Sequence, residues 1–229
     1  MKSTLFCPVC HSAMNPCDVI CDECKAALDG ECFDSFMSRC PVCFYPKVAP
    51  FYECEKCSTG ISNNKVYPVA RYDGPLSYSI LDSFKFHAHK EMAHIIALYL
   101  SRALSALDPE GTALIVPIPC SNMRLKKFGW DPMVEVAKAL KRPYLQLLSN
   151  SDSRRIQQKR LNRQQRLRAS EGRFVINPDY SDKIDEIKDK SIIVIDDIVT
   201  TMSTMNSAIS FLKENGFCNV SGASWLCEL

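Results

Sequence analysis

The chain lacks the two glycine-rich fingerprints by which phosphate-binding loops are most easily read. Across its 229 residues there is no G-x-x-x-x-G-K-[ST] and no G-x-G-x-x-G, so neither a P-loop hydrolase nor a dinucleotide fold leads the readings. No apolar run is long enough to span a bilayer. The most apolar stretch, "MAHIIALYLSRALSAL" (92–107), is interrupted by His94 and Arg102, and its apolar positions fall on one helical stripe. That pattern predicts a core-facing helix. "MKSTLFCPVC" carries no signal-peptide stretch, so the expectation is a cytoplasmic protein without a membrane span. The net charge of +2 gives no overall pull towards polyanions, but it is unevenly spread. Residues 1–60 hold 5 Lys/Arg against 8 Asp/Glu, and residues 61–229 hold 23 against 18.

Cysteine, by contrast, is abundant: there are 13, of which 10 lie in the first 57 residues. Reduced thiols argue against a disulfide framework and for metal. Four Cys-x-x-Cys pairs occur, Cys7/Cys10, Cys21/Cys24, Cys40/Cys43 and Cys54/Cys57, and the unit C-x2-C-x10-C-x2-C repeats with a period of 33. One such turn places two thiolates on a zinc ion and a second turn closes the tetrahedron. Eight cysteines therefore make two closed, structural Zn2+ sites in a small zinc-ribbon-like module over 1–60, where zinc supplies folding energy that so small a core cannot. The rival reading is redox-active pairs. Spacing leaves open whether the pairs combine in order or crosswise. Cys17 and Cys32 fall outside the repeat as free thiols, and His11 reads as a surface histidine.

From residue 61 onward, apolar runs alternate with helical patterns. "TALIVPIP" (112–119) and "KSIIVIDD" (190–197) read as buried strands, "YLQLL" and "GRFVIN" as shorter ones, and "CNVSGASWLCE" as a last strand. Helices are predicted over about 76–107 with a break near "FHAHKE", from Asp131 as N-cap with Pro132 following, and from Ser203 to the "NG" at 215–216. The sum is an α/β fold: a mostly parallel sheet with helices on both faces, in a second domain over 61–229.

In such sheets ligands bind at the carboxyl ends of strands. "IIVIDDIVTTMSTM" (192–205) puts Asp196 and Asp197 where strand 191–195 is expected to end, followed by a hydroxyl-rich turn leading into a helix. Amides at a helix N-terminus, helped by hydroxyls, make a phosphate pocket. The two carboxylates suit sugar hydroxyls or magnesium rather than phosphate. A sugar with phosphate at one end and pyrophosphate at the other satisfies both features.

The same stretch resembles the phosphoribosyl pyrophosphate (PRPP) signature of type I phosphoribosyltransferases. The wider pattern is similar to the ComF family of competence proteins along nearly the whole chain. The matching elements are the four cysteine pairs, "FKFHAHKEMA" (84–93), "VPIPCSNMRLKKFGWD" (116–131), and the spacing of Gln158, Leu161, Arg166, Gly172 and Phe174. The chain departs from the pattern at Met202, where the loop usually has glycine, in "KKFGWD", and at Ala169.

By this resemblance the larger domain is type I phosphoribosyltransferase-like and takes PRPP with Mg2+. Asp196 and Asp197 would hold the ribose hydroxyls; Thr200, Thr201, Ser203, Thr204 and the backbone of Met202 would hold the 5′-phosphate. Cys120, Ser121 and Arg124 would form the pyrophosphate loop, with Lys85 a further contact. The segment 154–168 contains seven Lys/Arg (Arg154, Arg155, Lys159, Arg160, Arg163, Arg166, Arg168), with Gln158 among them, and no acid. It reads as a mobile loop over pyrophosphate, as a contact for single-stranded DNA, or as a solvated helix face. Base stacking would then come from elsewhere, for instance Trp130 or the module's Phe and Tyr residues. His87 and His89 read as surface residues. Functionally the resemblance implies a PRPP-binding protein that assists uptake of single-stranded DNA in natural competence, with a helicase and other uptake proteins as partners. The alternatives are an active phosphoribosyltransferase on an unidentified acceptor and a non-catalytic PRPP sensor. No catalytic acid or base is assigned.

Overall fold

The computed structural model describes residues 5–35, 37–47, 54–58, 64–151 and 173–228. The two halves of the cysteine repeat fold alike. Strands β1 (Leu5–Phe6) and β2 (Ala13–Met14) pair antiparallel around the first turn, and β3 (Ser38–Arg39) and β4 (Pro46–Lys47) around the third. In one turn the His11 amide donates to the Cys7 carbonyl at 2.9 Å; in the other the Phe44 amide donates to the Cys40 carbonyl at 2.9 Å. His11 and Phe44 both take left-handed backbone, φ 59° and 62°. Helix α1 (Asp22–Glu31) carries Cys24 and starts beside Cys21, and the short α2 (Glu55–Ser58) carries Cys57.

Beyond the module lie β5 (Val66–Arg71), β6 (Leu114–Pro117), β7 (Leu148–Asn150), β8 (Phe174–Ile176), β9 (Ile192–Val199) and β10 (Val220–Cys227). Four of them form one parallel sheet in the order β5-β10-β9-β6. Their apolar runs are continuous because both faces are covered. Along β9, Ile193 and Ile195 face one core, and Ile192 and Val194 face the other, as the period of two requires. The first face is packed by α3 (Pro75–Phe86), α4 (Met92–Leu107) and α6 (Pro132–Ala139). The second is packed by α8 (Ser203–Glu214), which lies close because Gly222 of β10 has no Cβ; one there would stand 2.6 Å from Met205 Sδ. Helices α5 (Asn122–Phe128) and α7 (Ile184–Ile187) are short.

The edge strands β5 and β6 both contain proline, Pro68 and Pro117, where a missing ladder donor is tolerated. The cysteine module straddles the β5 edge. Cys32 bridges Ala70, and the Val66 amide donates to the Cys43 carbonyl at 2.9 Å. Cys7, Cys21 and Cys24 belong to the core under α4, while Cys40 and Cys43 belong to the core under α8.

The expected helical break falls between α3 and α4, and the caps follow the sequence: Asp131 accepts the Met133 amide at 2.9 Å, and Gly216 has φ 95°. Three features differ from expectation. The 144–148 and 172–177 stretches contribute to β7 and β8, which pair only with each other in a separate antiparallel ribbon. Helix α5 was not anticipated, because it buries none of its residues and so has no inward apolar stripe; its caps are Ser121 and the left-handed Gly129. Finally, β9 does not stop at residue 195. It pairs with β10 as far as Val199, so both aspartates lie within the strand. Its other neighbour, β6, stops opposite Ile195, and the crevice opens there.

Candidate functional site

The cysteine pairs combine in order. The ligand atoms of Cys7, Cys10, Cys21 and Cys24 lie within 4.8 Å of one another, and so do those of Cys40, Cys43, Cys54 and Cys57. Sulfur–sulfur distances are 3.5 Å for Cys10–Cys21, 3.8 Å for Cys40–Cys57 and 3.6 Å for Cys43–Cys54. A tetrahedron with Zn–S bonds of about 2.3 Å requires about 3.8 Å between sulfurs. Each group is thus shaped to hold a metal ion such as zinc. The thiols are already partly prepared for it. The Ser12 hydroxyl and amide beside Cys10 pull its thiol down to about 6. At Cys40 burial works upward, but the amides of Cys43 and Val42 outweigh it and bring the thiol to about 7. Burial pushes Cys24 and Cys43 up, so a cation is needed to hold all four as thiolates. Cys32 is a free thiol, buried and pushed up to about 11, which makes it inert; Cys17 is free and exposed.

At the carboxyl edge of the sheet the two aspartates are sorted by the pleat. Asp197 is buried on the α3 face, where Lys85 Nζ donates to it at 2.6 Å. Asp196, one residue earlier, accepts the Asp197 amide at 2.9 Å. Burial and the charge of Asp197 push the Asp196 carboxyl up to about 8, against the opposing charges of Lys85 and Arg173. Arg124 donates from Nη2 to the Lys85 carbonyl, while its buried Nε has no partner among the described residues. Lys85 thus meets the di-acid through its ammonium and Arg124 through its backbone carbonyl.

The turn after β9 supplies a second set of groups. Met202 has φ 64° and ψ −3° and stands at the N-cap of α8 without a side-chain cap. A left-handed residue just before a helix turns successive amides to one side, an arrangement suited to an anion. Thr200, Thr201 and Ser203 are exposed around it. Thr204 Oγ1 accepts from Arg173 Nη1 at 2.6 Å, a contact sequence reasoning missed because Arg173 sits outside the motif. The Met202 side chain is buried in the core under α8.

Across the crevice, the loop after β6 is held from below. Asp131 uses one carboxylate oxygen to cap α6 and the other to accept the Cys120 amide at 2.7 Å; Asn150 donates to the Cys120 carbonyl at 2.7 Å. The Cys120 amide is thus already engaged. Burial and Asp131 push its thiol up to about 12, which excludes thiolate chemistry there. Ser121 is exposed and caps α5 by accepting the Arg124 amide at 3.3 Å. Trp130 is buried against Phe84, with ring centroids 5.5 Å apart and Lys90 over its face, so it offers no free stacking surface. The basic segment 154–168, with Arg154, Arg155, Gln158, Lys159, Arg160, Arg163, Arg166 and Arg168, lies outside the described residues.

Fold and site together define an α/β protein whose parallel sheet carries a di-acid and a hydroxyl loop at its carboxyl edge, with two four-cysteine metal sites folded onto its flank. The chain is similar to the competence protein ComFC of Bacillus subtilis (strain 168), with 24% identity over 212 residues, covering 89% of this chain and 81% of that protein. No family model matches the chain. The resemblance to ComF proteins read from the motifs is therefore met by a relative over nearly the full length, with the paired cysteine clusters in place. Among the described residues, no helix is long and apolar enough to cross a membrane.

Proposed function

We propose that the chain binds PRPP at the carboxyl edge of its sheet and serves the handling of single-stranded DNA in competence. The observation that carries the reading is the convergence of Asp196, Lys85-paired Asp197 and the N-terminus of α8, which follows the left-handed Met202, at the carboxyl end of β9. The 5′-phosphate would lie on the α8 amides with the hydroxyls of Thr200, Thr201, Ser203 and Thr204. The ribose hydroxyls would meet Asp196, with Asp197 fixed behind it by Lys85. Pyrophosphate would face Ser121 and the guanidinium of Arg124, whose buried Nε is a donor without an acceptor among the described residues. Magnesium would enter on the diphosphate and neutralise its charge; the residues present fit this, because Lys85 is already paired with Asp197 and Arg124 alone leaves the diphosphate's negative charge in excess. The competence role rests on the name of the relative, and DNA contact on the charge of segment 154–168.

Calorimetry with PRPP and magnesium tests the site. The native protein is expected to bind, and Asp196→Ala to lose affinity by roughly tenfold, because losing one buried hydrogen-bond partner costs on the order of 1–3 kcal/mol. No heat from the native protein, or undiminished heat from the variant, would remove the assignment.

A further inference from the structure

The β7–β8 ribbon touches both loops that flank the crevice. At the end of β7, Asn150 Nδ2 donates to the Cys120 carbonyl at 2.7 Å, on the loop after β6. Arg173, directly before β8, donates from Nη1 to Thr204 Oγ1 at 2.6 Å, in the first turn of α8. The two positions are neighbours across the ribbon. Asn150 pairs with Phe174, and the Ser151 amide donates to the Arg173 carbonyl at 2.9 Å. The guanidinium is therefore held beside α8 by backbone pairing as well as by its own contact. The ComF-like spacing uses Gly172 and Phe174 on either side of Arg173 and gives it no role.

Charge separates Arg173 from the other cations of the crevice. Lys85 is paired with Asp197, and Arg124 gives Nη2 to the Lys85 carbonyl. Arg173 makes no ion pair among the described residues. Its hydrogen bond goes to the neutral hydroxyl of Thr204, and its guanidinium lies 5.7 Å from the centroid of the Phe174 ring. Its charge is felt at Asp196, where it opposes the upward push of burial on that carboxyl. The side chain is exposed, and a guanidinium with one donor engaged keeps others for a second partner. A phosphate monoester carries nearly two negative charges at neutral pH and presents strong acceptor oxygens. The amides of α8 offer it only partial charges, whereas Arg173 at the same turn offers a full one.

We propose that Arg173 is a further phosphate-contacting residue of this crevice, with one nitrogen on Thr204 and another on a phosphate monoester seated at the α8 turn. It makes the turn select the phosphorylated sugar over the unphosphorylated one. The place of the phosphate rests on the PRPP reading; the contact itself depends on neither the ribose nor the pyrophosphate.

Ribose 5′-phosphate is the probe, since it carries the monoester and lacks the diphosphate. Calorimetry with the full chain should show binding that Arg173→Gln weakens roughly tenfold, the worth of a charge-assisted hydrogen bond. Arg173→Lys should largely retain it. Glutamine can still donate to Thr204, so a merely structural contact would survive that change; full affinity in Arg173→Gln overturns the proposal. The phosphorus NMR signal of the bound probe, followed against pH, is a second readout. A neighbouring cation favours the dianion, so the bound phosphate should ionise below its ordinary value of about 6 in the wild type and closer to it in Arg173→Gln. Equal values in the two proteins, or no binding of the probe by the wild type, also overturn the proposal. Probe binding that depends on Arg173, with PRPP heat undiminished in Asp196→Ala, would keep this contact and remove the PRPP assignment. PRPP binding that depends on Asp196 but not on Arg173 would do the reverse.

Discussion

Met202 holds left-handed backbone at φ 64° in a turn where glycine would adopt it without strain. A side chain there costs about 1–2 kcal/mol. The compensation is visible: Met202 is only 4% exposed, packed with Met205 and its neighbours under α8. Truncating a buried methionine costs about 2–5 kcal/mol, which exceeds the strain relieved. Met202→Gly is therefore expected to lower stability by about 1–3 kcal/mol, while the backbone amide at that position is kept. Urea denaturation measures the first effect, and PRPP titration the second. A Met202→Gly protein more stable than wild type would show that the turn, not the side chain, dominates. The neighbouring acids show the limit of a linear reading at this scale. Their adjacency was plain in "DDI", but Asp197 facing Lys85 across 112 positions of chain was not.

At the scale of elements, α3 is capped from another part of the molecule. Gly74 stands at its N-cap and offers no side chain; Glu31, the last residue of α1, accepts the amides of Leu76 and Ser77 at 3.0 and 2.8 Å instead. Gly74 has ordinary backbone, and its value is room: a Cβ there would stand 2.3 Å from Glu31 Oε2. Because α3 carries Lys85 at its far end, the cysteine module helps to set the helix that pairs with Asp197. Glu31→Ala should cost about 1–2 kcal/mol, the usual worth of a lost cap, and the two-amide loss would appear as faster hydrogen exchange at Leu76 and Ser77. Unchanged exchange there would refute the cap. The helices with an apolar stripe were legible, α4 and α8 above all, since their burial repeats every three or four residues. Helix α5 was not, because only its caps and not its face distinguish it from a loop.

Over the whole molecule, the repeat does not sit apart as a bead on a string. Its first metal site shares a core with α4 and its second with α8, one on each side of the edge strand β5. Metal loss should therefore be felt by the sheet. Elemental analysis is expected to give two zinc ions per chain, and a strong chelator to lower the melting temperature of the entire chain in a single transition. If chelation instead unfolded residues 1–60 alone, with hydrogen exchange in β9 and β10 unaltered, the module would be energetically independent. The kinds of chemistry were written in the chain itself: thiols at tetrahedral spacing, a di-acid after an apolar run, and apolar periods that select strand or helix. Those are local patterns, and local patterns are carried by bond geometry and side-chain type. Which cysteine pairs close on one ion, how far β9 runs past Ile195, where Asp197 finds its cation and that Arg173 reaches Thr204 were decided only in three dimensions. Each of these depends on contacts between residues far apart in the chain, whose meeting is governed by sheet order and packing rather than by spacing.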